Sequence, residues 1–258
     1  TLAWDELSPS FCDIHPKSLN LDVSNLKSYD FQEISGIVTT LVYGNPFGLK
    51  ELENKCKEEN IPLILDAAHA FGIRMDNKSV LTIGKAASIS FHATKVFHTI
   101  EGGALVVNSD EDEELARSYI NFGINGEKFL TSGGTNFKMN EFEAAMGICV
   151  LDDIDFILER RREIGGLYNK DLEDICLRPE WMDGIKNNHS YAPFIFQSEK
   201  ECLSVHNSLS AHGIQSRRYF YPSLDMVSYN LEDTSCDISR ELASKILCLP
   251  IYPSLRPK

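Results

Sequence analysis

Residues 88–106 read SISFHATKVFHTIEGGALV. They hold a single lysine, Lys95, with Ser90, His92, Thr94 and His98 around it and the pair Gly102-Gly103 after it. The run Ala86 to Phe91 before the lysine and the run Ala104 to Asn108 after it are apolar and strand-like. A lysine set between two such runs, with hydroxyls before it and glycines after it, is an unusual surface loop. Upstream, residues 62–72 read PLILDAAHAFG and place Asp66 at the end of another apolar run.

Working outward, Glu33 to Tyr43 is a β-branched run of the kind found in buried strands. Gly44, Asn45, Pro46 and Gly48 break it. Leu49 to Asn60 spaces Leu49, Leu52 and Cys56 among charges, which predicts an exposed amphipathic helix. Pro62 to Leu65 is the next strand. Strand, helix, strand with short connections implies a parallel, right-handed crossover, hence an α/β fold with a mostly parallel sheet between helices. Asp110 to Phe122 reads as a helix capped by Ser109 or Asp110, and Gly123 to Asn136 as a long loop. Asn140 to about Leu172 reads as helical, long enough to bridge two domains. After Pro179 the pattern becomes a smaller α+β unit: strand Tyr191–Gln197, helix Lys200–His212 closed by Gly213, strand Ile214–Tyr221 and helix Asp237–Leu247. The expected division is residues 1–158 and 159–258.

The chain has 258 residues, 43% hydrophobic and 24% charged, enough for one large or two modest cores. Its net charge of -13 disfavours nonspecific binding to nucleic acid or anionic membranes. No apolar run approaches the roughly 18 residues of a membrane span, and no secretory leader pattern is visible. Seven cysteines without a C-x-x-C pair argue against a disulfide or zinc framework and fit a reducing cytoplasm.

A lysine beside a buried strand loses solvation, which lowers its pKa and frees the amine to attack a carbonyl. Ser90 and Thr94 could donate hydroxyls to a phosphate. Asp66, at a strand end where ligands of parallel sheets sit, could hold a ring nitrogen protonated, and Ala67, Ala68 and Ala70 would let a flat ring approach the backbone. A lysine able to form a Schiff base and an aspartate able to face a pyridinium nitrogen are the groups pyridoxal 5'-phosphate needs most. The bland alternatives are a solvated Lys95, an Asp66 that caps the following turn, and a His69 that is simply a hydrogen-bonded core residue. A metal is the competing ligand for Asp66, His69, His92 and His98, but no H-x-x-x-H pair shares a helix face, so no metal is assigned. Walker, G-x-G-x-x-G and G-x-S-x-G patterns are absent.

DAAHAFG, SFHATKVFHTIEGGAL and GTNFKMNEFEAAMG, in this order and spacing, resemble the sugar aminotransferases of the DegT/DnrJ/EryC1/StrS type, fold type I enzymes dependent on pyridoxal phosphate. The resemblance runs from VYGNP through HGIQSRRYFYPSL to LCLPIYPSL. It implies that Lys95 carries the cofactor and then moves the proton between cofactor and sugar carbon. It further implies that Asp66 partners the pyridine nitrogen, His69 lies beside the cofactor and Ser90 holds its phosphate. Asn136 would reach the cofactor phosphate of a neighbouring subunit, so a homodimer with shared sites is implied. Tyr219, Phe220 and Tyr221 would approach the substrate. The implied reaction moves an amino group from glutamate to a nucleotide-linked keto sugar, a dTDP-4-keto-6-deoxyhexose by preference, with a lean to C4 over C3.

Family members carry a further stretch before the point matching Thr1, which supplies the first strands and helices of the large domain and a phosphate-binding helix N-terminus. The expectation is therefore that this sequence is the covered part of a longer protein. Two other readings stand beside the aminotransferase. One is a related sugar-nucleotide dehydratase, which typically has histidine where Lys95 stands; the other is a truncated, non-catalytic homologue acting as a binding subunit.

Overall fold

The computed structural model describes residues 2–227 and 235–256. In chain order its regular elements begin with β1 (Ile37–Thr40), α1 (Leu49–Glu58) and β2 (Leu63–Asp66). A small hairpin of β3 (Arg74–Met75) and β4 (Lys78–Ser79) precedes β5 (Ala86–Ser90) and β6 (Gly103–Val107). Then come α2 (Asp110–Ile120), β7 (Ile124–Asn125), β8 (Lys128–Phe129), α3 (Glu141–Asp152) and α4 (Ile154–Leu172). The chain continues with β9 (Ala192–Ile195), α5 (Glu199–Ala211), α6 (Asp237–Lys245) and β10 (Ile246–Leu249).

The main sheet has the order β1-β2-β5-β6. β1, β2 and β5 run parallel, with Thr40 opposite Asp66 and Asp66 opposite Ser88, whereas β6 returns antiparallel to β5. The expected strand–helix–strand unit is thus present, and residues 88–106 form a strand, a loop and its returning neighbour. Alternation along the strands buries Ile37, Leu63, Leu65 and Ala87 on one face. α1 lays Leu49, Leu52 and Cys56, spaced for one helical stripe, into the same core. The other face carries Val38, Ile64 and Leu105, each more than a third exposed.

Near the C-terminus β10 pairs antiparallel with β9, bringing Leu247 opposite Phe194. α5 and α4 cover this pair: Phe194, Cys202 and Leu247 are buried together, and Tyr168 and Leu172 of α4 pack against them. A third cluster of Leu19, Tyr43, Ile246 and Cys248, with Tyr191 and Tyr219 beside it, joins the β9–β10 pair to the chain leaving β1. That junction lies under the candidate site. No helix among the described residues is long and apolar enough to cross a membrane.

Four expectations need correction. The helical stretch 140–172 is two helices, because the N–H of Asp153 turns back to the carbonyls of Leu151 and Val150 and closes α3 in a tight turn. The loop 123–136 contains the β7–β8 hairpin. Residues 214–221 are not a strand beyond one bridge, Arg217 to Cys248. There the adjacent rings of Tyr219 and Phe220 stack at 4.9 Å and 8°, whereas successive side chains of a strand point to opposite faces. The helix drawn to Leu247 stops at Lys245, since Ile246–Leu249 is captured by the ladder with β9.

Candidate active site

Lys95 lies in the loop 91–102 between β5 and β6, and local packing fixes its stem. Its N–H closes a turn onto the carbonyl of His92, and the next two residues, Val96 and Phe97, are buried. Phe97 stacks on Phe71 at 4.8 Å and meets Phe91 edge-on at 4.7 Å. The loop closes where Thr99 donates its N–H to the Phe91 carbonyl. Gly102 sits at φ +145 with its α-carbon packed on Thr99, so an added Cβ would come within 2.4 Å of the threonine hydroxyl. The half-buried amine emerges from this loop and donates to the hydroxyl of Tyr191 at 3.4 Å. Burial lowers its pKa, and the negative charge of Asp66 partly opposes that shift.

Asp66 is the last residue of β2. One carboxylate oxygen accepts the N–H of Ala68 at 3.1 Å, and the other accepts the hydroxyl of Thr40, its neighbour across the ladder, at 3.3 Å. The turn-capping alternative is therefore realised, yet the carboxylate remains half-buried and acts on the Lys95 amine. His69 is buried, with 6% of its surface exposed. Its Nδ1 accepts the N–H of Tyr43 at 3.2 Å, which leaves the ring proton on Nε2. Burial, then the nearby Lys95 charge, pull its pKa down to about 3, so His69 is a neutral imidazole. The His69 carbonyl is held by the Asn188 amide at 2.8 Å and the Ser190 hydroxyl at 2.7 Å.

The C-terminal segment closes over this group. Phe220 stacks on His69 at 5.3 Å and 6°, and Tyr191 meets His69 edge-on at 4.8 Å. The Tyr43 hydroxyl donates to the carbonyl of Tyr219. Lys95, Asp66, His69, Tyr219 and Phe220 are thus brought together. Tyr221 turns elsewhere, its ring 3.8 Å from the guanidinium of Arg218. Ser90 ends β5, the strand that pairs with β2, and its hydroxyl accepts the N–H of His92 at 3.4 Å. Asn136 is exposed in the loop after α2; its partners are Asn121 and Lys138, outside the cluster. Among the described residues no His, Cys, Asp and Glu side chains converge in the number a metal needs; His92 instead meets Thr94 at 2.8 Å.

Tyr191, Tyr43 and Thr40 escaped the sequence reading as site residues. Tyr191 and Tyr43 sit inside runs that read simply as strands, and Thr40 is one of several β-branched residues there. Only the register of Thr40 with Asp66 across a parallel ladder was in principle inferable.

The donor set fits pyridoxal 5'-phosphate on its chemistry. A half-buried amine lies within electrostatic reach of a carboxylate fixed at a strand end, small residues Ala67 and Ala68 follow that carboxylate, and a neutral imidazole with a ring stacked on it stands in the same cluster.

The sequence profile of the DegT/DnrJ/EryC1/StrS aminotransferase family matches residues 1–258. The dTDP-4-amino-4,6-dideoxy-D-glucose transaminase of Shigella dysenteriae is 38% identical over 99% of this chain and 71% of its own length. DesI, solved in the presence of its TDP-sugar product, superposes with a TM-score of 0.89 at 30% identity, over 99% of this chain and 67% of DesI. The aminotransferase TlmJ from Streptoalloteichus hindustanus superposes with a TM-score of 0.90 at 25% identity, over 98% of this chain and 70% of TlmJ. The motifs around Asp66, Lys95 and Asn136 lie within a match that runs the whole length of the sequence, and the chain belongs to the DegT/DnrJ/EryC1/StrS aminotransferase family, whose members are sugar aminotransferases dependent on pyridoxal phosphate.

Proposed function

We propose that this protein moves an amino group from glutamate to the keto carbon of a nucleotide-linked sugar, with a dTDP-4-keto-6-deoxyhexose as the substrate and C4 as the position aminated. The observation that carries the reading is the Lys95 amine, half-buried, hydrogen-bonded to the Tyr191 hydroxyl and within electrostatic reach of Asp66 at the end of β2 and of the buried His69. The substrate class is supported by the transaminase from Shigella dysenteriae and by a second one of the same name from Escherichia coli, 30% identical over 98% of this chain.

Bound pyridoxal phosphate supplies an electron sink that stabilises negative charge at the carbon losing a proton. Lys95 would hold the cofactor covalently and, once released, carry the proton between donor or sugar carbon and cofactor. Its lowered pKa raises the fraction of free amine near neutral pH. Asp66, oriented by Thr40 and Ala68, would offer a negative charge to the pyridinium nitrogen. His69, neutral, would offer its Nε2–H to the cofactor. Ser90 would supply a hydroxyl for the phosphate. Tyr219 and Phe220 would border the sugar side, whereas Tyr221 is turned onto Arg218.

Asn136 would complete the site of a second copy in a homodimer. In support, Phe137 and Phe142 beside it are 69% and 87% exposed, an apolar surface of the kind that subunits cover. The division at residues 158 and 159 would place these groups in a large domain and the 219–221 segment in a smaller one, with α4 shared between them. Seven free thiols agree with a reducing, cytoplasmic setting.

The test is spectroscopic. Protein supplied with pyridoxal phosphate should develop a visible band that borohydride abolishes, and Lys95→Ala should show none. No band in the parent protein, or an unaltered band in Lys95→Ala, would sink the reading. Turnover with glutamate and candidate keto sugars then identifies the substrate.

A further inference from the structure

Tyr191 is the hydrogen-bond acceptor that the structure places on the Lys95 amine, across a sequence separation of 96 residues. The amine also lies 5.8 Å from the centre of the same ring, so ring and hydroxyl both face the cation. The ring cannot easily swing away. It is wedged edge-on against His69 at 4.8 Å, against Tyr219 at 5.6 Å and against Phe220 at 6.0 Å. Its backbone leads directly into β9, and the preceding Ser190 is tied to the His69 carbonyl. Tyr191 thus couples the lysine to the roof formed by the C-terminal segment.

We propose that Tyr191 is a positioning residue for Lys95: whenever the amine is free of cofactor, the Tyr191 hydroxyl holds it at the mouth of the cluster and favours its protonated form. The inference rests on the reading of Lys95 as the cofactor lysine and assigns the group that holds it while it is not bonded to the cofactor. The phenol is suited to this because burial pushes its pKa up to about 12, keeping it neutral and able to accept from an ammonium. The charged and titratable groups around the pair belong to several elements. Asp66 and His69 face Lys95 from the end of β2. Tyr219, Cys248, Arg217 and Arg161 act on Tyr191 from the 217–219 segment, β10 and α4, and Tyr43 adjoins it.

The experiment measures acylation of Lys95 in the cofactor-free protein as a function of pH, by peptide mass spectrometry. Tyr191→Phe keeps the packed ring and removes the acceptor, so the midpoint for Lys95 labelling should fall by about 0.5–1 pH unit. Tyr168→Phe, whose hydroxyl serves the Pro250 carbonyl, should leave the midpoint unchanged. If Tyr191→Phe does not fold, 4-fluorophenylalanine at position 191 fills nearly the same volume, cannot ionise and is a negligible acceptor, and should lower the midpoint likewise. A midpoint that stays put while Lys95 still captures pyridoxal phosphate overturns the role of Tyr191 alone. Failure of the parent protein to capture pyridoxal phosphate at Lys95 overturns the lysine's assignment, and the role of Tyr191 with it.

Discussion

Asn188→Ala tests whether the loop bearing His69 is held from outside. Asn188 is 4% exposed, and its side chain ties the 69–71 backbone to Ser190. Its amide donates to the carbonyls of His69 at 2.8 Å and Phe71 at 2.9 Å, and its oxygen faces the N–H of Ser190 at 3.0 Å and the Ser190 hydroxyl at 2.8 Å. After truncation the Ser190 hydroxyl still serves the His69 carbonyl. Two backbone groups, the Phe71 carbonyl and the Ser190 N–H, lose their partners. Each orphaned buried group costs about 1–3 kcal/mol, so the expected loss is about 3 kcal/mol. For a chain of this size that corresponds to a fall in Tm of roughly 6–12 °C. Thermal unfolding followed by circular dichroism measures it. Asn188→Asp keeps the acceptor for Ser190 but sets a carboxylate against two carbonyls, and should be at least as damaging. A fall below about 2 °C for the alanine variant, or wild-type stability in the aspartate one, would refute the clamp.

Two further outcomes are expected. Burial pulls His69 down to about 3 and His189 to about 4, so the unfolded chain binds these protons first. Their neutral burial is without cost above about pH 6.5, and stability is lost as pH falls from there toward 4, by up to about 3 kcal/mol per pH unit for the two together. Denaturant titrations across that range should show His189→Gln halving this contribution; an unchanged slope would contradict it. In α4, a Cβ on Gly165 would lie 2.3 Å from Nδ1 of the buried His189, whereas one on Gly166 meets nothing within 4 Å. Gly165→Ala should therefore destabilise by about 1–3 kcal/mol and Gly166→Ala stabilise by up to about 1 kcal/mol, and equal effects in chemical denaturation would count against the contact.

The sequence alone determined the elements whose signals are local. The β-branched run of β1, the Leu49-Leu52-Cys56 stripe of α1 and the short connections between them required a parallel unit, and that unit is present. Asp66 at a strand end and Lys95 in a loop between strands were legible for the same reason, since residue type and neighbours sufficed. The tertiary structure alone decided what faces the lysine. Tyr191 and Tyr43 looked like ordinary strand residues, because a contact made across 96 or 176 positions leaves no trace in periodicity. β10 was hidden likewise: Ile246–Leu249 extends only because β9 offers it a ladder. The 219–221 segment carried its aromatic residues openly in the sequence. That Phe220 stacks on His69 while Tyr221 turns to Arg218 was set by the packing of that segment against the β2 end and α5.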